Sequence, residues 1–426
     1  MSSRLLMLFS CAAFTAGFVS AADQTVPGAG NGLAETIASN SQFVQSAKQT
    51  LLSNAQGIQD ATLRNLTLDA ISNPATCITH RAGLTAATKN AIVQNLVNAG
   101  LINPADASGI QGGMVAGVFP PVLNDGSSCP QLPLSFNASP GSSFGGHHSY
   151  PGGLPVHEAN NDQSDINFAD LYRGSYGSIG SHGLPVVKGE KKDAAVFINQ
   201  DIILAAPMWH DWAKPIVFQW NADGTEFTEL NFGGAGTNDA WGAPGDSRTG
   251  GHHIIGIAES MKRGLSPEMV ITQASAHSAP TSGNEYKVVN WLSAAAMLAQ
   301  IDPVAAGYLI VDSQNNLRLP PLRQLGAGVN LNANGQTNLL VEYALHNLSD
   351  SDFNLSGPAV SDAQVLLADV ASQFGYDPSN TTTYNTKYRN VALSNLGAER
   401  LLMIYGNSGI QGVVTELKLL RQLGLI

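Results

Sequence analysis

Charge and cysteine are both scarce in this sequence. Charged residues make up only 12% of the 426 residues, and the formal net charge is -11 at pH 7. An acidic chain with so few cations offers no broad basic surface, so we expect neither long nucleic acids nor anionic lipid surfaces as partners. The three cysteines include no Cys-x-x-Cys pair, which excludes thiolate zinc sites. The length is nevertheless sufficient for a sizeable buried core.

The N-terminus has the pattern of a secretory signal. Arg4 precedes an apolar run from Leu5 to Val19, and small residues precede Ala22. The run of about 15 residues is short for a membrane span, and no later segment approaches about 18 uninterrupted apolar residues. We therefore expect cleavage near Ala21/Ala22, a secreted or periplasmic location, and no transmembrane segment in the mature chain. A membrane anchor is the alternative.

Two cysteines, Cys77 and Cys129, remain once the signal and its Cys11 are removed. In an exported chain two cysteines can form a disulfide, and they can equally stay free thiols. The sequence leaves this choice open. Neither outcome bears on a metal site that is built from nitrogen and oxygen ligands.

Helical patterns recur along most of the chain, with loops rich in Gly, Pro and Asn between them. The sequence predicts an all-α fold with a signal peptide at 1–21, a helical N-terminal region at 22–140, a central unit at 141–310 and a helical C-terminal region at 311–426. Two β-rich runs flank Asn221-Ala-Asp-Gly224 and predict a β-hairpin insertion. The main predicted helices cover residues 35–52, 61–71, 85–101, 155–172, 252–263, 267–277, 286–301 and 362–374.

Histidine is concentrated in the central unit. Eight of the ten histidines lie between residues 147 and 277. About three would be expected there by chance, so we expect a shared role. The eight are His147, His148, His157, His182, His210, His252, His253 and His277. Histidines that are satisfied in loops and helix caps are the alternative, which we prefer for His182, His80 and His346.

The pair His210-Asp211 is the centre of this pattern. Asp193 can cap a helix whose apolar stripe runs from Ile198 to Trp209, so the pair lies near the end of a buried helix that is kinked at Pro207. An imidazole and a carboxylate about 100° apart on such a helix can both reach a site beside the core. Together they suit a divalent transition metal, although the dipeptide alone is common.

Four further candidates also lie at helix ends, namely His157, His252, His277 and Asp302. Ligands at the ends of several helices can converge on a point that no single helix could surround. Imidazole and carboxylate without thiolate suit Mn, Fe, Ni, Co or Zn. With the central pair the candidates number six, more than one tetrahedral ion needs. The sequence therefore predicts two divalent transition-metal ions about 3.5 to 4 Å apart, with Asp211 as the bridge.

Three motifs around these residues resemble those of the HD-domain metal-dependent phosphohydrolases. The segment His148-Ser-Tyr-Pro-Gly-Gly-Leu-Pro-Val-His157 looks like the His-x-Tyr-Pro-Gly-Gly-Leu-x-x-His opening of that family, especially of its bacterial exoribonuclease branch. The segment His210-Asp-Trp-Ala-Lys214 is similar to its His-Asp-x-Gly-Lys, and Gly251-His252-x-x-x-Gly256 to its Gly-His-x-x-x-Gly. The ligand order His, His-Asp, His, His, Asp is that of the binuclear members.

The resemblance implies an HD-domain helical bundle at 141–310 and assigns roles to its residues. One ion would be held by His157, His210, Asp211 and Asp302, and the second by His252, His277 and the shared Asp211. The expected catalytic residues are Asp211 and Lys214. Lys214 would neutralise charge on a phosphoryl oxygen, with a solvated lysine as the alternative. His148 and Arg248 are candidates for substrate binding, and His253 is expected to point elsewhere.

The implied activity is that of an exported metal-dependent phosphohydrolase. It would act on a small phosphoester or nucleotide through a metal-bound water. Some binuclear proteins with the same ligand order hold two irons and use oxygen to cleave carbon-carbon or carbon-phosphorus bonds, which is the alternative enzymatic interpretation. A protein that keeps the fold but only binds a ligand is a third interpretation, and the intact ligand set counts against it.

Overall fold

The computed structural model describes residues 28–176, 197–239, 246–281, 283–321 and 339–426. The expected signal peptide at 1–21, the capping Asp193 and His182 lie outside these ranges. Helices make up most of the described chain, which confirms the all-α fold class. None of the described helices is both long enough and apolar enough to cross a membrane.

Helices of the N-terminal part begin where a polar side chain caps the backbone. The helix predicted at 35–52 is split in two, because Ser41 is extended and its hydroxyl accepts from the N–H of Val44 at the start of a new helix. Asp60 and Thr85 cap the next two helices in the same way. The helices are α1 (Asn31–Asn40), α2 (Gln42–Gln56), α3 (Ala61–Ser72), α4 (Ala86–Asn98) and α5 (Gly113–Val118).

The central helices follow the predicted order closely. Ser266 caps α10 and Pro267 occupies its first turn, where the missing N–H of proline costs no hydrogen bond. Pro207 lies inside α7, which ends at His210. The bounds are α6 (Gly153–Tyr176), α7 (Gln200–His210), α8 (Lys214–Val217), α9 (Gly251–Lys262), α10 (Pro267–Ala274) and α11 (Glu285–Ala299).

The C-terminal part is also helical. Its longest helix is bent at Gly409, whose φ of 62° lies outside helical geometry. The helices are α12 (Val341–Ser349), α13 (Phe353–Val370), α14 (Thr381–Tyr384), α15 (Asn390–Leu396) and α16 (Ala398–Gln422). A π-helical turn covers Asn385–Arg389. Short 3-10 turns cover Thr79–Arg81, Pro104–Gly109, Phe136–Ala138, Asp350–Asp352 and Ala371–Phe374.

The β structure of the described residues is small. Strand β1 (Asn231–Phe232) pairs antiparallel with β2 (Thr249–Gly250), and β3 (Ile310–Val311) pairs antiparallel with β4 (Leu317–Arg318). At the predicted Asp-Gly hairpin only one bridge forms, between Trp220 and Glu226. The first predicted strand is short because Pro215 lies at the start of α8, which takes up Ile216 and Val217.

The two largest buried cores of the described residues organise the helices. The larger core joins the N-terminal helices to the central ones, and the indole N–H groups of Trp209 and Trp212 donate to Thr67 Oγ1 and to the carbonyl of Ala70 at 3.0 and 2.9 Å. These bonds fix the end of α7 against α3. The smaller core is formed by α13, α15 and α16 with Tyr150, which precedes α6. The C-terminal helices therefore pack directly on the segment that leads to His157.

The structure resolves the question that the two cysteines left open. Cys77 and Cys129 form a disulfide, with their Cα atoms 4.8 Å apart. Backbone bridges hold the two segments together, because Gln131 pairs with Cys77 on one side and with Leu123 on the other. The N–H of Ile78 also donates to the carbonyl of Pro130 at 2.7 Å.

Candidate metal centre

Side chains from four separate segments converge beside the larger core. His157 is the fifth residue of α6, His210 is the last residue of α7, and Asp211 follows it. His252 lies in the first turn of α9, and His277 comes shortly after α10. The structure thus brings together five of the six ligands predicted from the sequence.

The inner position is defined by four ligand atoms, His157 Nε2, His210 Nε2, Asp211 Oδ2 and Asp350 Oδ1. His157 Nε2 lies 3.3 Å from the Asp211 oxygen and 3.2 Å from the Asp350 oxygen. His210 Nε2 lies 3.3 Å from each of the same two oxygens. Two imidazoles and two carboxylates therefore alternate in a ring of close contacts.

These separations match a ligand shell. Around an ion with bonds of about 2.1 Å, neighbouring ligand atoms lie about 3.0 Å apart in an octahedron and about 3.4 Å apart in a tetrahedron. His210 Nε2 and Asp211 Oδ1 are buried and have no hydrogen-bond partner, although buried polar atoms usually have one. The donor set and its unpaired atoms therefore fit a divalent transition metal.

The outer position is defined by Asp211, His252 and His277. Asp211 Oδ1, the oxygen that faces away from the inner position, lies 3.2 Å from His252 Nε2. One ligand atom from each of the three residues lies within 4.8 Å of the others. His277 is exposed whereas the other two are buried. Asp211 thus offers one oxygen to each position, as a bridging carboxylate does, and the outer position opens to solvent.

Each of the four imidazoles has its second ring nitrogen next to an oxygen. Such contacts fix ring orientation and leave Nε2 for a metal, an arrangement that metal-binding histidines generally have. The contacts are His157 Nδ1 to Asp352 Oδ1 at 3.0 Å, His210 Nδ1 to the Pro207 carbonyl at 2.9 Å, His252 Nδ1 to Glu229 Oε2 at 2.7 Å and His277 Nδ1 to Thr249 Oγ1 at 2.8 Å.

The electrostatics of the inner position favour a cation. Burial opposes the charged form of Asp211 and of Asp350, but the adjacent His210 and other cationic neighbours hold the pKa of both carboxyls well below the usual range. Burial also lowers the pKa of the His157 and His210 imidazoles, yet the surrounding carboxylates raise it well above 6.5. The carboxylates therefore stabilise positive charge at the imidazole nitrogens, and a bound ion would take the place of the imidazole protons there.

The prediction for Asp302 is corrected by the structure. Asp302 is exposed, and its carboxylate accepts from the N–H groups of Val304 at 2.9 Å and Ala305 at 3.1 Å. Helix α11 ends at Ala299, and the left-handed Gln300, with φ of 55°, turns the chain before Asp302 is reached. Asp302 therefore caps a surface turn and is not part of the cluster.

Asp350 occupies the place in the cluster that was predicted for Asp302, although no sequence motif pointed to it. It directly follows α12, and α12 packs on both α6 and α7, the helices that carry His157 and His210. Like the other ligands, Asp350 lies at a helix end. That shared position is a signal that could have been used, but it applies equally to Asp302.

Lys214 is buried and faces the cluster, which contradicts the solvated alternative. Its ammonium contacts Asp211 Oδ2 and donates to the carbonyl of Gly141. The two contacts place one positive charge against the bridging carboxylate. Lys214 is therefore in position to balance the negative charge of Asp211.

The two predicted substrate-binding residues lie in different surroundings. His148 is buried, and its ring centroid lies 5.4 Å from that of His157. The Arg248 guanidinium is half exposed and lies 3.5 Å from Asp106 Oδ1, so it belongs to the surface and not to the group of ligands. Arg248 is therefore not supported as a residue of the site.

Two histidines outside the predicted ligand set also border the cluster. His253 was expected to point elsewhere, but its ring stacks on His277 at 4.1 Å, and its Nδ1 lies 2.9 Å from Thr249 Oγ1. The His346 ring lies 5.1 Å from that of His210. His80 is remote and pairs with the buried Glu259.

Comparisons of the chain with protein-family models, with curated proteins and with solved structures give no match. The assignment of a metal centre therefore rests on the residues and their geometry.

Proposed function

We propose that this chain is a binuclear metal-dependent enzyme of HD type that hydrolyses a small phosphoester or nucleotide. The ligands of the inner position follow the order His157, His210-Asp211, Asp350 along the chain, and this order resembles the HD pattern with Asp350 as its last carboxylate. Asp350 in place of Asp302 extends the unit beyond the range expected from the motifs. The proposal keeps the predicted class of reaction and changes one ligand.

The observation that carries the proposal is the sharing of Asp211 between two positions. Its Oδ2 faces two imidazoles and its Oδ1 faces a third, at separations of 3.2 to 3.3 Å. A structural ion needs one closed ligand set, whereas hydrolytic centres use paired ions with an open coordination position. The exposed His277 supplies that open side.

Residues at the closed inner position and at the open outer position would have different roles in the proposed reaction. Bound divalent ions would supply Lewis acidity, which lowers the pKa of a water molecule and polarises a phosphoryl oxygen. Lys214 would offset the negative charge that develops near Asp211. Because the inner side is buried, a phosphoester would have to approach past His277.

The decisive experiment separates hydrolysis from oxygen chemistry. Protein loaded with Mn²⁺ under strict anaerobiosis should release phosphate or a nucleotide from a panel of nitrophenyl phosphates, mononucleotides and dinucleotides. Oxygen should have no effect on the rate. The activity should disappear in His210→Ala, which removes an inner ligand.

Activity that requires both iron and oxygen would reject hydrolysis in favour of the di-iron oxygenase. A mixed-valence signal in electron paramagnetic resonance and oxygen uptake with substrate would identify that case. The matched pair Asp350→Asn and Asp302→Asn tests the corrected ligand. Only Asp350→Asn should lose ion and activity, because Asp302 caps a surface turn.

We also infer that the protein is exported and loses residues 1–21. The disulfide between Cys77 and Cys129 supports an oxidising compartment, since such bonds are rare in the cytosol. The mass of protein recovered from its native host should correspond to a chain that begins near Ala22. A chain that retains Met1 in the cytosolic fraction would contradict export.

A further inference from the structure

A second group of polar side chains lies behind His157, on the side of its Nδ1 atom. This distal cluster consists of His147, His148, Asp352 and Glu399. His148 Nε2 lies 3.4 Å from Glu399 Oε1 and 3.8 Å from Asp352 Oδ2. Donor atoms of His147, His148 and Asp352 also lie within 4.8 Å of one another. The cluster joins the loop before α6 to the turn after α12 and the start of α16.

The backbone is shaped to present His148 at this point. His148 has φ of 50°, a left-handed conformation that is uncommon for residues other than glycine. A Cβ on Gly153 would lie 1.8 Å from the His148 carbonyl oxygen, and one on Gly141 would lie 2.6 Å from the His148 Cβ. Strained conformations of this kind persist where the surroundings hold them, often at functional sites.

The C-terminal helices hold the same loop from the other side. The guanidinium of Arg389 donates to the carbonyl of Ser149 at 2.9 Å and to its hydroxyl at 3.2 Å. It also lies over the ring of Phe144 at 4.3 Å. The loop that carries His147 and His148 is therefore fixed between α6 and the C-terminal bundle.

Several donor atoms of the distal cluster have no hydrogen-bond partner. Both ring nitrogens of His148 are buried and unpaired, and its side chain is only 1% exposed. His147 Nδ1 and Glu399 Oε1 are also buried and unpaired. Because an unpaired buried polar atom costs free energy, several of them in neighbouring side chains indicate a missing partner.

We propose that the distal cluster binds one further divalent transition-metal ion, separate from the inner and outer positions. Two imidazoles and two carboxylates form a nitrogen and oxygen ligand set suited to Zn, Mn, Fe, Co or Ni. The separations of 3.4 and 3.8 Å suit neighbouring ligands of one ion. The Asp352 and Glu399 side chains keep 23% and 20% of their surface exposed, which gives an ion a path from solvent.

The distal ion would be coupled to the inner position through Asp352. One oxygen of Asp352 lies 3.0 Å from His157 Nδ1, while the other faces His148. Asp352 would therefore bind the distal ion and orient the His157 imidazole at the same time. This site goes beyond the proposed function and does not depend on the reaction that the inner and outer ions support.

Ion counts test the proposal directly. Full-length mature protein loaded with Zn²⁺ and then desalted should retain about one ion per chain more than the His148→Asn and Glu399→Gln variants, as measured by elemental analysis. Asn tolerates positive φ, so His148→Asn keeps the backbone of the loop. Glu416→Gln is the matched control, because Glu416 lies on the same helix and pairs with the exposed Arg400.

Two results would contradict the distal site. An unchanged ion count in both variants overturns the distal site, and hydrolysis or its absence does not alter that conclusion. Cobalt-loaded protein gives a second measurement, because Glu399→Gln should remove one component of the visible absorption spectrum while the remainder is kept. Loss of the whole spectrum in Glu399→Gln, with normal folding by circular dichroism, would also contradict a separate site.

Discussion

The inner and outer positions share one carboxylate but differ in exposure. No side chain of the inner set is more than 8% exposed, whereas His277 of the outer set is open to solvent. Buried ligands can exchange their ion only when the surrounding helices open locally, and such openings are rare in a packed core. The comparison indicates that an ion bound at the inner position would be held firmly, and that ion exchange and the approach of the proposed substrate would take place at the outer position.

The difference in burial between the two positions also has an energetic consequence. Two buried carboxylates without a cation beside them would be costly, because desolvation of an ionised group is repaid only by close opposite charge. Asp350 and Asp211 face His157 and His210 on the inner side, and Lys214 adds a further positive charge. We therefore expect ion loss to destabilise the inner side more than the outer side.

Removal of the shared carboxylate should have the largest effect. Asp211→Ala should lose both the inner and the outer ion, since each position uses one of its oxygens. Elemental analysis of protein that was never exposed to chelator should show about two ions per chain fewer than in the parent. Loss of a single ion would mean that Asp211 does not bridge.

Removal of the exposed ligand should affect the outer position only. His277→Ala should lose the outer ion and keep the inner one, because the structure places His277 with His252 and Asp211 alone among the ligands. Elemental analysis should therefore show a loss of about one ion. If His277→Ala loses as much metal as Asp211→Ala, the two positions are not independent.

Removal of the buried cation should affect turnover but not ion content. Lys214→Met keeps the side-chain volume and removes a charge that contacts Asp211, so the negative potential at the ions rises and binding is maintained. If the proposed hydrolysis holds, the rate should fall by about 10², as for other single donors to a developing charge. An unchanged rate at full metal content would show that this charge has no part in catalysis.

Much of the fold and most of the site could be predicted from the sequence. The fold class followed from helical periodicity, and five residues of the cluster were singled out from the sequence because each was expected at a helix end. His157 and His252, for example, each follow a glycine-rich turn that starts a helix. Such local signals predict helix ends correctly because capping and turn geometry depend on residues that are neighbours in the sequence.

The features that were predicted wrongly or left open depend on contacts between distant segments. Asp302 and Asp350 both follow helices, and only the packing of α12 on α6 and α7 selects Asp350. The disulfide likewise depends on the pairing of Gln131 with Cys77. The second strand of the expected hairpin is affected in the same way, since its end pairs with another segment through Phe232 and Thr249. Tertiary packing decided each of these cases over the local signal.

The smallest expected effect concerns an oxygen that does not contact either ion. Glu229 Oε2 lies 2.7 Å from His252 Nδ1 and also accepts from the His252 N–H at 3.0 Å, so it sets the orientation of an outer ligand. Burial raises the pKa of the Glu229 carboxyl, but the interaction with His252 lowers it by more, so the pKa is below its usual range. The group is therefore an ionised acceptor whose charge strengthens the outer ligand.

Glu229→Gln keeps the shape of this side chain and removes its charge. Outer-ion affinity should fall by about 10 to 100-fold, the usual cost of losing such a partner, while the inner ion stays bound. Thr249→Val removes the corresponding oxygen beside His277, so it should also lower the affinity of the outer position for its ion. Calorimetric Zn²⁺ titration of protein that retains its inner ion measures the outer-ion affinity of both variants. Equal weakening of the inner ion would show that the two positions are one cooperative site, because neither Glu229 nor Thr249 contacts an inner ligand other than through the outer imidazoles.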